Sequence, residues 1–244
     1  KHHQLNINPF EEVLTVKKIN NRFTITTTKD VYQCRFLTVA TGYYGQHNQL
    51  EVEGAELPKV NHYFKEAHPY FGQNVVIIGG KNSAVDAALE LEKAGAHVTV
   101  LYRGQDYPNA IKPWILPNFE SLVRNEKINM VFNAQVTKIT ETSVQYENDG
   151  HTYEIPNDYV FAMIGYHPDY TFLQSIGIDI NTNEFGTAPV YNKETFETNV
   201  VNCFIAGVIA AGNDANTIFI ENGKYHGGII TQSILTKKQT PLES

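Results

Sequence analysis

One stretch, residues 74–103, constrains the fold more than any other part of the sequence. It reads NVVIIGG, then KNSAVDAALELEKAG, then AHVTVLYR. The first and last segments are near-continuous apolar runs, which is typical of parallel strands buried on both faces. Between them, four apolar residues recur at helical spacing: Ala84, Ala87, Ala88 and Leu91. Gly95 is placed to end that helix. The stretch therefore predicts a β-α-β unit with a right-handed crossover, and an α/β fold class.

The turn between the first strand and the helix has the composition of a dinucleotide phosphate site. A buried strand that ends in glycines before a helix points backbone N–H groups and the positive helix end at one place. Gly79 would make the tight turn, and Ala84 would allow the close packing of the G-x-G-x-x-G/A pattern. Lys81 replaces the middle glycine; its Cβ obstructs close approach, whereas its ammonium attracts phosphate. The alternative is an ordinary β-α turn. The predicted site comprises Gly79, Gly80, Lys81, Asn82, Ser83 and Ala84.

The end of the second strand indicates which dinucleotide is bound. Sites that prefer NAD place Asp or Glu there, where it holds the ribose 2′-hydroxyl. This sequence has LYRG instead, so that Arg103 occupies the region. A guanidinium matches a 2′-phosphate through two parallel hydrogen bonds, and Lys112 could add charge. We therefore predict NADPH as the cofactor, with plain solvated surface as the alternative for both side chains.

The flanking regions have other patterns. Before residue 42, three segments rich in β-branched residues read as strands: EEVLTVKKI, RFTITTT and VYQCRFLTVAT. Further strands are predicted at about 128–132, 135–140, 143–147 and 151–155, and a helix at about 114–125. Residues 166–198 read as loops. The chain ends with the strand NCFIAG and a helix from about Thr217 to Leu235.

Composition excludes several classes of protein. The formal net charge of -7 disfavours nucleic acid and anionic membranes as partners. No apolar run approaches the roughly 18 residues of a membrane span, and no signal peptide opens the chain. Cys34 and Cys203 lie far apart and form no disulfide framework, which fits a reducing, cytoplasmic location. The sequence does not begin with Met, so we expect it to start inside a longer protein.

Several motifs together resemble a known family. GGKNSAVDAALEL and VTVLYR, with VATG upstream and FIAG near the end, resemble the two-dinucleotide-domain flavoprotein reductases, of which thioredoxin reductase is a member. Three more motifs are similar to the bacillithiol-disulfide reductase group: IKPWILPNF, FAMIGYHPDY and IAGVIAAGNDANTIFIENGKYHGG. The resemblance implies a Rossmann-like NAD(P)-binding domain inserted into a partial FAD-binding domain. It also implies a hydride path from NADPH through FAD to a low-molecular-weight thiol disulfide, and it allows a homo-oligomer.

The resemblance assigns a domain and a role to each part of the chain. The expected parts are a partial FAD-binding domain (1–50), a connection (51–72), an NADPH-binding domain (73–165) and a return to the FAD-binding domain (166–244). The residues expected to face FAD are Ala40, Thr41, Gly42, Gly207, Asn213, Asp214, Ile218 and Phe219. Relatives follow the glycine at 207 with Asp, whereas Val208 stands here, so the ribityl contact would pass to Asn213 or Asp214. Ile218 and Phe219 would offer backbone N–H groups to the flavin.

Two departures from the family pattern shape the expectation. No glycine fingerprint for FAD precedes Glu11, so we expect an N-terminally truncated, inactive form of such an enzyme. No C-x-x-C pair is present, and the thiol that the resemblance implies would lie outside this chain. Cys34 and Cys203 read as buried structural thiols, and His226 is the one histidine considered as a proton donor. A flavin monooxygenase and a non-catalytic NADPH-binding fragment are the alternative interpretations.

Overall fold

The computed structural model describes residues 5–183, 186–213 and 217–239. The chain divides into two compact units. Unit 1 comprises Lys1–Gln46 and Tyr166–Ser244, and unit 2 comprises His47–Gly165. Unit 2 is therefore inserted into the sequence of unit 1, and the fold is a mixed α/β fold. No helix in the described ranges is both long and apolar enough to cross a membrane.

The bounds of the elements are given in chain order. The strands are β1 (Val13–Ile19), β2 (Arg22–Thr27), β3 (Val31–Cys34), β4 (Leu37–Val39), β5 (Gln46–His47), β6 (Val60–Asn61), β7 (Asn74–Ile78), β8 (His97–Leu101), β9 (Ile128–Val131), β10 (Gln135–Ile139), β11 (Ser143–Asn148), β12 (His151–Pro156), β13 (Tyr159–Ala162), β14 (Tyr166–His167), β15 (Ile180–Asn183), β16 (Gly186–Pro189) and β17 (Cys203–Ile205). The helices are α1 (Asn82–Lys93), α2 (Leu116–Arg124), α3 (Tyr170–Ser175), α4 (Ile220–Gly223) and α5 (His226–Gln239), with 3₁₀ turns at His68–Tyr70 and Gly207–Ala211.

The centre of unit 2 is a five-stranded parallel sheet in the order β6-β13-β7-β8-β9. Alternate residues of β7 enter two different hydrophobic clusters. Val75 and Ile77 pack with α1 and α2, whereas Val76 and Ile78 pack with the strands of a second layer. Both faces of the strand are therefore covered, as the continuous apolar run predicts.

Helix α1 covers one face of this sheet with a stripe of small residues. The stripe predicted from the sequence is buried, with every member at most 1% exposed: Ala84, Ala87, Ala88 and Leu91. The chain leaves the helix at Gly95, whose φ of 90° lies in the left-handed region that glycine tolerates best. The N–H of Ala96 then donates to the carbonyl of Leu91 at 3.0 Å. The predicted parallel β-α-β unit is thereby confirmed.

The second layer of unit 2 is the antiparallel sheet β10-β11-β12. It contributes Val136, Ile139 and Val144 to the cluster beneath β7. The four strands and the helix predicted between residues 114 and 155 are all present, with ends shifted by at most two residues. Their hydrophobic patterns are local, which is why the sequence predicts them well.

Unit 1 begins with the antiparallel meander β1-β2-β3. Its first turn uses Asn20 and Asn21, both in the left-handed region, as a two-residue hairpin requires. The single strand predicted over residues 31–41 is wrong. Its first half, β3, pairs with β2, whereas its second half, β4, pairs in parallel with β17. The N–H of Leu37 donates to the carbonyl of Asn202 at 3.0 Å, so a segment distant in sequence recruits the second half.

The C-terminal part of unit 1 differs from the prediction in two places. The region 166–198, predicted to be loop-rich, contains β14, α3, β15 and β16. The single helix predicted from Thr217 to Leu235 is also wrong, since α4 and α5 are separate helices. The Asn222 amide explains why α4 starts only at Ile220: it accepts from the N–H of Phe219 at 2.7 Å and donates to the carbonyl of Thr217 at 2.8 Å.

Candidate functional site

The parallel pairing of β7 with β8 brings the glycine turn and the end of the second strand together. Ile78 lies opposite Leu101, and the N–H of Gly79 donates to the carbonyl of Leu101 at 3.0 Å. Both strands therefore leave the sheet at the same edge, with the glycine turn on one and Tyr102 and Arg103 on the other. Ligands of open α/β sheets bind outside this carboxyl edge.

The two glycines of the turn are required for different reasons. Gly79 has a φ of 136°, a conformation that side chains rarely adopt, and a Cβ there would collide with the carbonyl of Met163. Gly80 has ordinary backbone angles, yet a Cβ there would lie 2.5 to 2.9 Å from atoms of the Tyr102 ring. A Cβ on Gly104 would meet the same ring. Tyr102 thus lies against both glycines, a role that sequence reasoning missed because no motif marks it.

The start of α1 is open to an anion. Lys81 is the N-cap residue, with φ −92° and ψ −172°, and no side chain caps the helix. The N–H groups of Asn82, Ser83 and Ala84 have no acceptor within the helix, since an α-helix leaves its first N–H groups unpaired. The Lys81 side chain is exposed and makes no ion pair with any residue in the described ranges. Unpaired donors and a nearby cation together favour a phosphate.

The two cations predicted to select the cofactor differ in their surroundings. Arg103 is exposed and forms no ion pair within the described part of the chain. The Lys112 ammonium lies 3.8 Å from a carboxylate oxygen of Asp86 on α1. The backbone N–H of Lys112 donates to the Asn82 side chain at 2.9 Å. The fold therefore places Lys112, which the sequence left uncertain, at the start of α1.

In unit 1, a second edge of parallel strands brings two glycine turns together. β4 and β17 pair in parallel, and the N–H of Ala206 donates to the carbonyl of Val39 at 2.9 Å. The segment from Ala40 through Thr41 to Gly42 therefore leaves the same edge as Gly207. Both glycines have positive φ values, 80° and 76°, and a Cβ on either would meet no atom of the described residues within 4 Å. Space beside both backbones is consistent with close approach of a cofactor.

His226 is a hydrogen-bond acceptor at this second edge. Its Nδ1 accepts from the N–H of Gly207 at 3.2 Å, and its ring stacks on Phe196 with centroids 4.1 Å apart. The side chain is buried, and burial lowers the pKa of His226 below its ordinary value. The hydrogen bond requires an unprotonated Nδ1, so this nitrogen holds the glycine turn and carries no proton to donate.

Three of the residues predicted to face FAD have side chains or N–H groups already in use. The N–H of Phe219, predicted to serve the flavin, donates to the Asn222 side chain at 2.7 Å in this structure. The side chain of Asn213 meets the Tyr170 hydroxyl at 2.6 Å, and its N–H donates to the carbonyl of Thr187 at 2.8 Å. Ile218 packs at the margin of the core of unit 1. Asp214 lies outside the described residues.

Neither cysteine has the surroundings of a reactive thiol. Burial raises the pKa of Cys203 to about 11, and it also raises the pKa of Cys34. Both thiols therefore stay protonated at neutral pH, which agrees with the structural role expected for them. Within the described ranges, no group of three or more His, Cys, Asp or Glu side chains could hold a metal ion.

Comparison with known proteins identifies the family. The profile of the pyridine nucleotide-disulphide oxidoreductase family matches residues 1–207. The chain belongs to this family. It is 57% identical over 223 residues to the bacilliredoxin reductase Bdr of Bacillus subtilis strain 168, covering 91% of this chain and 68% of the relative.

Solved structures agree with this assignment. The structure of bacillithiol disulfide reductase Bdr from Staphylococcus aureus matches with a TM-score of 0.92 and 79% identity, over 98% of this chain and 74% of that one. A thioredoxin reductase from T. acidophilum matches with a TM-score of 0.75 at 24% identity, over 94% and 74% of the two chains, and this shows a shared fold. The chain is thus a homologue of Bdr in a family of flavoprotein oxidoreductases, which confirms the resemblance drawn from the motifs. Membership of the family implies FAD and NAD(P)H as cofactors.

Proposed function

We propose that this chain takes part in the NADPH-dependent, FAD-dependent reduction of a low-molecular-weight disulfide of the bacillithiol type. The observation that carries the proposal is the shared edge of β7 and β8, where the glycine turn lies beside Arg103. Unit 2 supplies the NADPH site, in a domain proposed to span residues 73–165. The regions 1–50 and 166–244 belong to the FAD-binding domain, and 51–72 connects the two.

The residues of unit 2 fit a phosphorylated dinucleotide. Gly79 and Gly80 form the turn between β7 and α1, and the start of α1 offers unpaired N–H groups to the pyrophosphate. Arg103 presents a guanidinium, which suits a 2′-phosphate. The nearest acid after β8 is Asp106, and its carboxylate already accepts from the N–H of Tyr107 at 2.7 Å. The strand end itself, from Leu101 to Arg103, carries no acid that would prefer the 2′-hydroxyl of NADH.

The residues of unit 1 fit a cofactor that approaches backbone closely. Gly42 and Gly207 leave space at one edge, with Ala40 and Thr41 exposed beside them. When bound there, FAD supplies the hydride-accepting and electron-donating chemistry. The role of this chain is to hold that edge in place, and His226 does so through the N–H of Gly207. Cys34 and Cys203 take no part, because burial keeps both thiols protonated.

The names of the relatives favour a second candidate substrate. The Staphylococcus aureus protein is named for bacillithiol disulfide, whereas the Bacillus subtilis protein is named for bacilliredoxin. The first is a small thiol disulfide and the second a protein partner. Two further candidate functions are a flavin monooxygenase and a catalytically silent NADPH-binding fragment. The family match argues against the monooxygenase.

The test combines binding with turnover on the purified chain supplemented with FAD. We expect NADPH to bind, and if the added FAD is retained we expect NADPH oxidation to rise when bacillithiol disulfide is added. If NADPH oxidation rises only with oxidised bacilliredoxin, the substrate is the disulfide of that protein and not bacillithiol disulfide. NADPH binding without oxidation by either substrate would leave the chain as a binding fragment. Absence of NADPH binding would refute the proposed cofactor site itself.

A further inference from the structure

Asn82, the first residue of α1, uses both ends of its side-chain amide on one short loop. Its Nδ2 donates to the carbonyl of Ala110 at 2.7 Å, and its Oδ1 accepts from the N–H of Lys112 at 2.9 Å. Ile111, which lies between Ala110 and Lys112 in the sequence, is only 4% exposed and belongs to the same hydrophobic cluster as the buried residues of α1. The two hydrogen bonds of Asn82 and the buried side chain of Ile111 therefore fix residues 110–112 against the start of the helix.

The backbone of Lys112 is held on both sides. Its N–H is bound by Asn82, and its carbonyl accepts from the N–H groups of Ile115 at 2.9 Å and Leu116 at 3.2 Å. By contrast, the only ion pair of its ammonium among the described residues is the 3.8 Å contact with Asp86, and both side chains are substantially exposed. Such pairs are weak in water. The ammonium thus lies against Asp86, the fifth residue of α1, and can exchange this carboxylate for a more strongly charged partner.

We propose that Asn82 is a positioning residue for the dinucleotide, acting through Lys112. By fixing residues 110–112, it keeps the ammonium of Lys112 beside the unpaired N–H groups of α1, where it attracts a phosphate group of the ligand. The inference rests on the proposed NADPH site and adds a role that the glycine pattern does not specify. Because the loop occupies the side chain of Asn82, that side chain does not contact the ligand, whereas the backbone N–H of Asn82 stays among the unpaired donors of α1.

The test is a double-mutant cycle on the full chain with Asn82→Ala, Lys112→Met and both together. Dissociation constants for NADPH and NADH are measured by titration. Each single variant should weaken NADPH binding by about three- to tenfold. The double variant should lose no more NADPH affinity than the more affected of the two single variants, because the two residues act through the same interaction. An equal loss for NADH assigns Lys112 to the pyrophosphate, and a smaller loss for NADH assigns it to the 2′-phosphate.

The matched control is Asn148→Ala. Asn148 donates to the carbonyl of Phe132 at 2.7 Å, a bond of the same kind in the same unit. This variant should leave both affinities unchanged. Trp114, the single tryptophan of the sequence, is 76% exposed and lies two residues beyond Lys112, so its fluorescence anisotropy reports on the loop. Without nucleotide, Asn82→Ala should lower the anisotropy, whereas Asn148→Ala should not.

The outcomes separate this inference from the proposed function. Additive losses, unchanged affinity in Asn82→Ala or unchanged anisotropy would overturn the role of Asn82 while leaving the NADPH site intact. Failure of the wild-type chain to bind either nucleotide would overturn the proposed site, and the inference with it. If Asn82→Ala does not fold, Asn82→Ser provides the same cycle, since its side chain is too short to reach both loop groups.

Discussion

The backbone N–H of Gly207 donates to Nδ1 of His226 at 3.2 Å, and this bond exists only while that nitrogen is unprotonated. Burial lowers the pKa of His226, so the unfolded chain takes up the proton more readily than the folded one. The stabilising contribution is therefore complete above the ordinary histidine pKa of about 6.5 and is lost as the pH falls below it. We expect the melting temperature of the chain to decrease between about pH 8 and pH 5.5.

His226→Asn isolates this contribution, because an amide oxygen can accept from Gly207 at any pH in that range. Its melting temperature should depend less on pH than that of the wild type, as measured by circular dichroism across the range. Burial and the nearby His47 also lower the pKa of His62. That effect is common to the wild type and to His226→Asn, so it cancels when their pH profiles are compared. Superimposable pH profiles would show that His226 contributes nothing to the acid sensitivity.

The contact between Gly80 and Tyr102 predicts a rescue. Gly80→Ala should destabilise the chain by about 1–3 kcal/mol through overpacking, since the new methyl group would collide with the Tyr102 ring. In a Tyr102→Ala background the same substitution should cost little. Gly79→Ala serves as the contrast, because its clash is with the backbone at Met163 and its φ is unfavourable. Chemical denaturation measures the loss of unfolding free energy caused by Gly80→Ala and by Gly79→Ala, each in the wild type and in Tyr102→Ala. Equal losses for Gly80→Ala in the two backgrounds would contradict the role of the ring.

The sequence predicts the β-α-β unit well and its neighbours less well, for a physical reason. The strand, the turn and the helix from Asn74 to Lys93 are encoded by local apolar periodicity and by glycines whose conformations depend on adjacent residues. The partners of Asn82 lie 28 and 30 residues away in sequence, and those of β4 lie in β17. Such pairings depend on tertiary structure. For this reason the sequence does not predict the side-chain bonds of Asn82, and it leaves β4 joined to β3.

The C-terminal helices show the same limit. The sequence prediction joins Thr217 to Leu235 in one helix, although Gly223, Gly227 and Gly228 lie where α4 ends and α5 begins. The start of α4 is instead set by the side chain of Asn222, which bonds to Phe219 and Thr217. An asparagine in this role cannot be distinguished in the sequence from one exposed to solvent.

Flavin retention by the isolated chain should be low. In the described part of unit 1, no strand leads through a glycine turn directly into a long helix, the arrangement that cradles a pyrophosphate. The N–H groups of Gly207 and Phe219 are also bonded within the chain. We expect the purified protein to show little visible flavin absorbance while it binds NADPH in solution. A stoichiometric yellow preparation would contradict this prediction.

Lys81 should strengthen dinucleotide binding by its charge. Its extended backbone conformation does not require glycine, so the residue is tolerated at the N-cap, and its ammonium makes no ion pair with the described residues. Lys81→Met and Lys81→Gly should each weaken NADPH binding, by about threefold to tenfold, and the loss should shrink at high salt. Lys93→Met, at the other end of α1, is the matched control. Identical affinities for wild type and both Lys81 variants would exclude the lysine from the site.

Arg103 should select NADPH over NADH. It follows β8 at the edge that carries the glycine turn, it is exposed without an ion pair in the described ranges, and the nearest acid, Asp106, is bonded to Tyr107. Hydrogen bonds to a charged group contribute about 1.5–3 kcal/mol. Arg103→Ala should therefore weaken NADPH binding by roughly one to two orders of magnitude. NADH lacks the 2′-phosphate and should lose far less, while Arg124→Ala on α2 should change neither constant. Titration of both nucleotides gives the comparison.

Equal losses of affinity for NADPH and NADH would mean that Arg103 supports the fold or the shared pyrophosphate. The specificity would then have to arise from another cation, with Lys112 the first to examine.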